Sequence, residues 1–460
     1  MTSSLQYGLT GPMFSSDAMR AVFSDHSCVQ RMLDVEAALA RAEGQHGVIP
    51  AAAVAPIVAA CDAARIDLRS LAQAAASAGN LAIPLIKQLT AGVAQVDPEA
   101  AKYVHWGATS QDVIDTGLVL QLRDALHLID TDLNQLADAL AQLAGQYRTT
   151  PMVGRTWMQH ALPTTFGLKA AGWLDAVQRH QDRLRESRAR VLSLQFGGAA
   201  GTLASLGARG LQVAETLAAE LQLALPDMPW HTQRDRVAEV ATVLGLLVGT
   251  LGKMARDISL LAQTDVAEAA EPAAEGRGGS STMPHKRNPV GCAVALAAAV
   301  RVPGLVAVML SAMVQEHERA LGGWQAEWDT LPQIVQLAAG ALQQMRQVAA
   351  GLTVDADNMR HNLDTTHGQI MAEAITLALG AKGGRMAAHQ LVERACLLAS
   401  QTRQHLRDVL VQDPAIAAVL SASELDRLLD PVGYTGQAAE FVERVLRTHQ
   451  RRKASQFHQE

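Results

Sequence analysis

The chain has 460 residues, enough for two or three domains with sizeable cores. Aromatic residues make up only 3%, which disfavours all-β architectures, while 49% of the chain is apolar, with alanine and leucine dominant. A formal charge of −6, from 39 basic against 45 acidic residues, argues against a general pull toward nucleic acid and leaves any anionic ligand to local cations.

The opening stretch MTSSLQYGLTGPMF has neither a basic n-region nor an apolar h-region, so no signal peptide is expected. Cys28, Cys61, Cys292 and Cys396 stand apart, with no CxxC pair and no zinc spacing. Reduced, mostly buried thiols in a cytoplasmic protein are the expectation, with no metal and no cofactor. Pro50, Pro56 and Pro84 punctuate a region of shorter helices.

Long helical periodicity follows. Leu118, Leu122, Ala125, Ile129, Leu133, Leu136, Leu140 and Leu143 recur every three or four residues. Similar runs cover residues 164–196, 234–263 and 290–317. Each is near 30 residues, roughly 45 Å as helix, and four such rods read as one long bundle. Val290 to Val314 is apolar enough for a membrane span, but Arg301 and Pro303 sit in its middle and a buried core helix is the preferred reading. From about residue 352 the helices shorten and become more polar, ending in a basic tail. Thr353 and its neighbours suit a turn or a short extended piece.

Three polar clusters interrupt the rods. The first holds His105, Thr109, Ser110, Gln111, Asp112 and Asp115. The second holds Arg155, Thr156, Trp157, Gln159, His160 and Thr164. The third is GRGGSSTMPHKRNP, residues 276–289. Its glycines free the backbone, Lys286 and Arg287 bring charge, and Asn288 and Pro289 suit a helix start as N-cap and first helical residue. Taken alone, Thr109, Ser110 and Thr164 or Thr165 also suit helix capping, and a lone histidine is more often structural than catalytic. Capping does not account for Ser280-Ser281-Thr282-Met283-Pro284. Hydroxyls, amides, imidazoles and cations with few carboxylates together suit an organic anion.

The third cluster resembles the GSSxMPxKxNP motif of the fumarase/aspartase superfamily. HWGATSQDVIDT and GRTWMQHALPTTFG resemble the family's two other motif regions, in order and spacing, and the segment from Met19 to Pro50 resembles the adenylosuccinate-lyase branch. The resemblance implies an all-α, three-domain subunit divided as residues 1–110, 111–350 and 351–460, with a mobile loop at 272–289. It also implies a homotetramer with a twenty-helix core and active sites shared by three subunits. No nucleic acid or membrane partner is expected.

By motif, Ser280 is the expected base acting on a carbon α to a carboxylate, with His105 and His160 as catalytic histidines. Lys286, Arg287, Asn288 and Arg319 would hold substrate carboxylates, and Thr109, Ser110, Gln111, Arg155, Thr156, Trp157 and Gln159 would add contacts. Family lyases carry a histidine where this chain has Trp157, paired with a glutamate where it has Ala293. Both halves are missing together, so a proton relay through that pair is absent. The branch this pattern resembles is the bacterial 3-carboxy-cis,cis-muconate cycloisomerases, whose leaving group is the substrate's own carboxylate. A fumarate-releasing lyase and a non-catalytic scaffold of the same fold are the alternatives.

Overall fold

The computed structural model describes residues 8–274 and 276–456. The first seven residues of the opening stretch, the last four of the basic tail and Glu275 in the loop lie outside it.

The chain is all-α. Five long helices carry it: Ser110–Gln146, Phe166–Val191, Asp235–Leu261, Val290–Ser311 and Gly323–Ala350. Periodicity finds the first four; the fifth, 28 residues long with Pro332 inside, is an addition to the sequence reading. In the Ser110 helix every expected core position except half-buried Leu118 is buried. Pro50 precedes a helix and Pro84 sits in a first turn, but Pro56 lies within the Ala51–Ala60 helix and does not end it.

Contacts group the chain into two compact units. One comprises the chain up to Leu133, His180–Gly252 and Val294–Gln344; the other comprises Asn134–Arg179, Lys253–Ala293 and the chain from Met345 onward. Each long helix contributes residues to both. The first unit is centred on aliphatic side chains such as Leu122, Leu126, Leu244, Leu247 and Ile334. In the second, Val153, Leu363, Ile370, Met371 and Ala374 form a core beneath a hairpin, and a separate cluster around Leu406, Leu410 and Leu425 holds the C-terminal helices together.

Strands are few but placed where chemistry is expected. β1 (Pro151–Thr156) and β2 (Gln159–Thr165) pair antiparallel, so the second polar cluster is a hairpin rather than an irregular loop. β3 (Ala269–Ala270) pairs with β4 (Thr353–Val354), which makes the latter the short extended piece the sequence suggested.

The buried-core reading of the Val290 helix holds on one face only. Cys292, Ala295, Ala298 and Val302 are buried, but Val300 is 81% exposed and Val314, just beyond the helix, 84%. The Asp235 and Val290 helices are both long and apolar enough to cross a membrane by length and composition; the first is 61% buried in the fold and the second 22%. Of the cysteines only Cys292 is buried, while the other three are half-buried free thiols.

Backbones approach closely where the Phe166 helix begins. A Cβ at Gly167 would stand 2.5 Å from Arg148 Cα and 2.7 Å from the Tyr147 carbonyl oxygen. Gly92, inside the Ala82–Val96 helix, has open space around it. Gly167→Ala is therefore expected to lower stability by about 1–3 kcal/mol, and Gly92→Ala to raise it by up to about 1 kcal/mol. Thermal unfolding of the two variants checks this; equal effects would show that the close approach is not a real constraint.

Candidate active site

The first polar cluster is shaped by two aspartates at the start of the Ser110 helix. Asp112 accepts from the backbone N–H groups of Thr109 (3.0 Å), Gly197 (3.0 Å) and Gly198 (2.9 Å), and from His231 Nε2 (2.7 Å). Asp115, one turn on, accepts from Arg234 Nη1 (2.7 Å) and Trp324 Nε1 (2.9 Å). Arg234 also pairs with Glu327. The side chains of Arg234, Asp115 and Glu327 are each only 1% exposed. Burial works against the guanidinium charge, but the two carboxylates overcome it and push the Arg234 pKa up. Burial raises the Glu327 carboxyl, opposed by Arg234.

That framework decides what the predicted site residues are free to do. Gln111 is buried, and its amide donates to Asp115 and to the His231 carbonyl while accepting from Arg319 Nε at 3.1 Å. Arg319 also donates to the Ala199 carbonyl and remains exposed. Thr109 and Ser110 are half-buried at the helix start. His105 takes a left-handed backbone, φ +59°, and its Nδ1 lies 2.6 Å from Glu36 Oε1.

The second and third clusters belong to the other unit. The hairpin turns through Trp157 and Met158, at φ +50° and +64°. This is the two-residue geometry that usually demands Asn-Gly, so the tip is held by its strands against local preference. Trp157 is 97% exposed there, and Thr156 and Gln159 flank it, also exposed. Arg155 is not a free cation. It grips Glu268, fully buried, through both terminal nitrogens at 2.9 and 2.6 Å, and Asn362 donates to the same carboxylate at 2.8 Å. His160 lines a cavity of about 500 Å³ with Thr365, His367, Gln369 and Ser400. Its buried Nδ1 has no partner, and burial, then Arg155, lowers its pKa, which favours the neutral ring.

In the loop, Glu271 rather than Asn288 caps the Val290 helix. Its carboxylate accepts from the N–H groups of Gly291 (3.0 Å) and Cys292 (2.7 Å). The acid side chain satisfies two orphan donors at the positive end of the helix dipole. Arg277 braces the same base through Gln347 and Glu271. Asn288 N donates to the Gly278 carbonyl at 2.8 Å, which closes the loop at its neck, and at Gly278 (φ +68°) a Cβ would meet Asn288 O at 2.5 Å. Between these ends Ser280 Oγ accepts from the N–H groups of Met283 (3.1 Å) and Thr282 (3.4 Å). The side chains of Lys286, Arg287 and Asn288 have no protein partner among the described residues; the first two are exposed.

The structure thus groups His105, Thr109, Ser110, Gln111 and Arg319 in one unit. It groups Arg155, Thr156, Trp157, Gln159 and His160 with the Ser280 loop in the other. Sequence reasoning missed Glu36, Glu268 and Glu271, buried or half-buried carboxylates that hold site residues from outside the polar clusters. Glu268 and Glu271 lie just ahead of the third cluster, and an acid shortly before a glycine-rich loop and helix start was their only local signal. Glu271→Ala is expected to cost about 1 kcal/mol and to speed tryptic cleavage at Lys286 and Arg287. Limited proteolysis checks this, and an unchanged cleavage rate would count against Glu271 as the anchor.

Comparison with known proteins follows the same lines. A family described as lyase matches residues 13–304, and one described as adenylosuccinate lyase C-terminus matches residues 368–445. The chain is 59% identical over 436 residues to a 3-carboxy-cis,cis-muconate cycloisomerase of Pseudomonas aeruginosa, covering 95% of each chain. It is 56% identical over 438 residues to one of Bradyrhizobium diazoefficiens, covering 95% of this chain and 97% of that relative. The crystal structure of 3-carboxy-cis,cis-muconate lactonizing enzyme from Pseudomonas putida superposes with a TM-score of 0.92 at 56% identity, covering 96% of this chain and 99% of that one.

Proposed function

Because the chain belongs to the lyase family of the fumarase/aspartase superfamily, we infer that it is an intramolecular lyase that closes 3-carboxy-cis,cis-muconate to 4-carboxymuconolactone. The observation that carries this is the intact Ser280 loop beside a missing relay, with Trp157 and Ala293 where family lyases hold an imidazole–carboxylate pair. A lyase that expels an amine needs an acid for it. A cycloisomerase expels, in reverse, a carboxylate that is stable without a proton.

The steps follow from the substrate. A terminal carboxylate oxygen adds to the alkene carbon that bears the middle carboxyl group. The C–O bond forms, the π pair shifts to the neighbouring carbon, and its own carboxyl group takes up the charge as an enediolate. Protonation of that carbon completes the lactone. Ser280 exchanges the carbon-bound proton. A serine hydroxyl suits this only if its alkoxide is stabilised, and the Thr282 and Met283 N–H groups on Oγ supply such donors. Lys286, Arg287 and Arg319 offset the polycarboxylate charge, and Asn288, Thr109, Ser110, Thr156 and Gln159 hold and orient it. The Trp157 indole packs against the planar diene or donates its single N–H. Gln111 and Arg155 act behind this layer, through Arg319 and Glu268.

Assembly belongs to the same proposal. The exposed apolar face of the Val290 helix and Leu246 on the Asp235 helix suit burial against other copies, in a homotetramer whose sites draw on three subunits. Residues 111–350 would then form its centre, flanked by residues 1–110 and 351–460, in the cytoplasm.

Loss of diene absorbance on mixing with 3-carboxy-cis,cis-muconate, with lactone as product, is the expected result. Fumarate release from adenylosuccinate or argininosuccinate instead would replace the proposal with the lyase alternative. Ser280→Ala should lower kcat by at least about 10²-fold with assembly unchanged; near-normal turnover would remove Ser280 from the mechanism. Val300→Lys should shift the species seen in light scattering from tetramer toward smaller forms, and an unaltered tetramer would place Val300 outside any interface.

A further inference from the structure

Lactone closure converts three carboxylates into two and a lactone, and therefore takes up one proton per turnover. That proton comes from solvent, and Ser280 must be recharged with it at each turnover. The imidazole–carboxylate pair of family lyases is absent at positions 157 and 293. A different pair stands elsewhere in the chain.

Glu36 lies on the Asp25–Gln45 helix, its side chain 1% exposed, and Oε1 is 2.6 Å from His105 Nδ1. Its second oxygen is buried without a partner. His105 Nε2 has no protein partner among the described residues, and the imidazole side chain keeps 18% of its surface. A non-glycine residue at φ +59° stores about 1–3 kcal/mol of backbone strain, which a merely space-filling histidine has no reason to hold. The strained turn aims one ring nitrogen at a buried acid and leaves the other to solvent or ligand.

We propose that Glu36 is the positioning residue that makes His105 the proton carrier of this reaction: the carboxylate holds Nδ1–H, and Nε2 delivers and recovers the proton. The proposal rests on the cycloisomerase reading above. In the forward direction the imidazolium gives up its Nε2 proton, which reaches the enediolate carbon, and the neutral ring, still bound through Nδ1–H, is recharged from water. No oxidant, metal or second substrate enters the balance.

The surrounding charges favour the arrangement. Burial opposes a charged His105, yet Glu36, and more weakly Asp112, outweigh it and raise the ring above its ordinary value. Glu43, two turns along the same helix, is pushed up to about 9 by burial and by Glu36, so it stays neutral and leaves the local negative charge on Glu36. Cys61 is pushed up to about 12 by burial, then by Glu36 and Asp34, with Arg41 opposing, so no thiolate competes for the proton. A raised imidazole is fully charged below its unfolded value, about 6.5, and loses that charge as pH climbs through the folded value. Lactone formation should therefore fall on the alkaline side.

Two measurements on the full chain test this. Imidazole nitrogen NMR of histidine-labelled wild type should show His105 as the Nδ1–H tautomer when neutral, titrating above about 6.5. In Glu36→Gln, the titration of His105 and the alkaline fall of kcat should both move down together by about one pH unit, with kcat lowered roughly tenfold or more and KM little changed. Glu36→Asp, which keeps the charge, should recover part of the shift, and a folded CD spectrum qualifies each variant. A wild-type His105 that is Nε2–H, or that titrates in the ordinary range, overturns the proposal without any variant. So does a Glu36→Gln enzyme in which the ring titration moves and the rate profile does not. Wild type that forms no lactone defeats the underlying cycloisomerase reading instead, while the NMR result still decides the pairing.

Discussion

Asp112 and Asp115 are the constraint on which this part of the molecule depends. They stand one turn apart at the start of a 37-residue helix, and both are buried. A buried carboxylate is tolerable only when its charge is met, and here that need recruits distant chain. Asp112 draws in Gly197, Gly198 and His231, while Asp115 draws in Arg234 and Trp324, with Glu327 on the far side of the guanidinium. Removing one member of such a set leaves uncompensated buried charge, at about 3–5 kcal/mol. Two long helices, the segment leading into a third and the loop at Gly197 are tied together by these bonds, next to the polar segment from His105 to Gln111.

The same device recurs at smaller scale. Glu36 holds His105, Glu268 holds Arg155, and Glu271 holds the first turn of the Val290 helix. In each case a buried or half-buried acid places a residue of the candidate site and is itself out of reach of a ligand. This is how a site for a polycarboxylate tolerates carboxylates nearby: each is already bonded to an imidazole, a guanidinium or backbone donors. The unmatched groups, Lys286, Arg287 and Asn288, are the ones proposed to meet substrate.

The long helices give rigid supports, while residues proposed to meet substrate sit on the connections between them. Ser280, Trp157 and His105 all lie on such connections, the last two on left-handed backbone. Rigid rods fix the ends of each connection, and the strained or glycine-rich middle aims a side chain. The apolar surface left on the Val290 helix is what the proposed assembly would cover.

Periodicity in the sequence was enough for the all-α class, for four of the five rods and for all but Leu118 of the core positions named on the first, because a helix repeats every 3.6 residues whatever its surroundings. The family motifs likewise named the loop serine, the cations after it and the double departure at Trp157 and Ala293, since these lie on contiguous stretches. The hairpin was not legible: its strands contain Pro151, Gly154 and Pro163, and its turn lacks the usual Asn-Gly. Nor were the protein partners of Gln111 and Arg155, two residues expected to contact ligand. Glu36 is 69 residues from His105, and Glu268 is 113 from Arg155. Pairings at that separation leave no local pattern, because what selects them is the need to match charge inside a low-dielectric interior, and only the tertiary structure decides which groups share one.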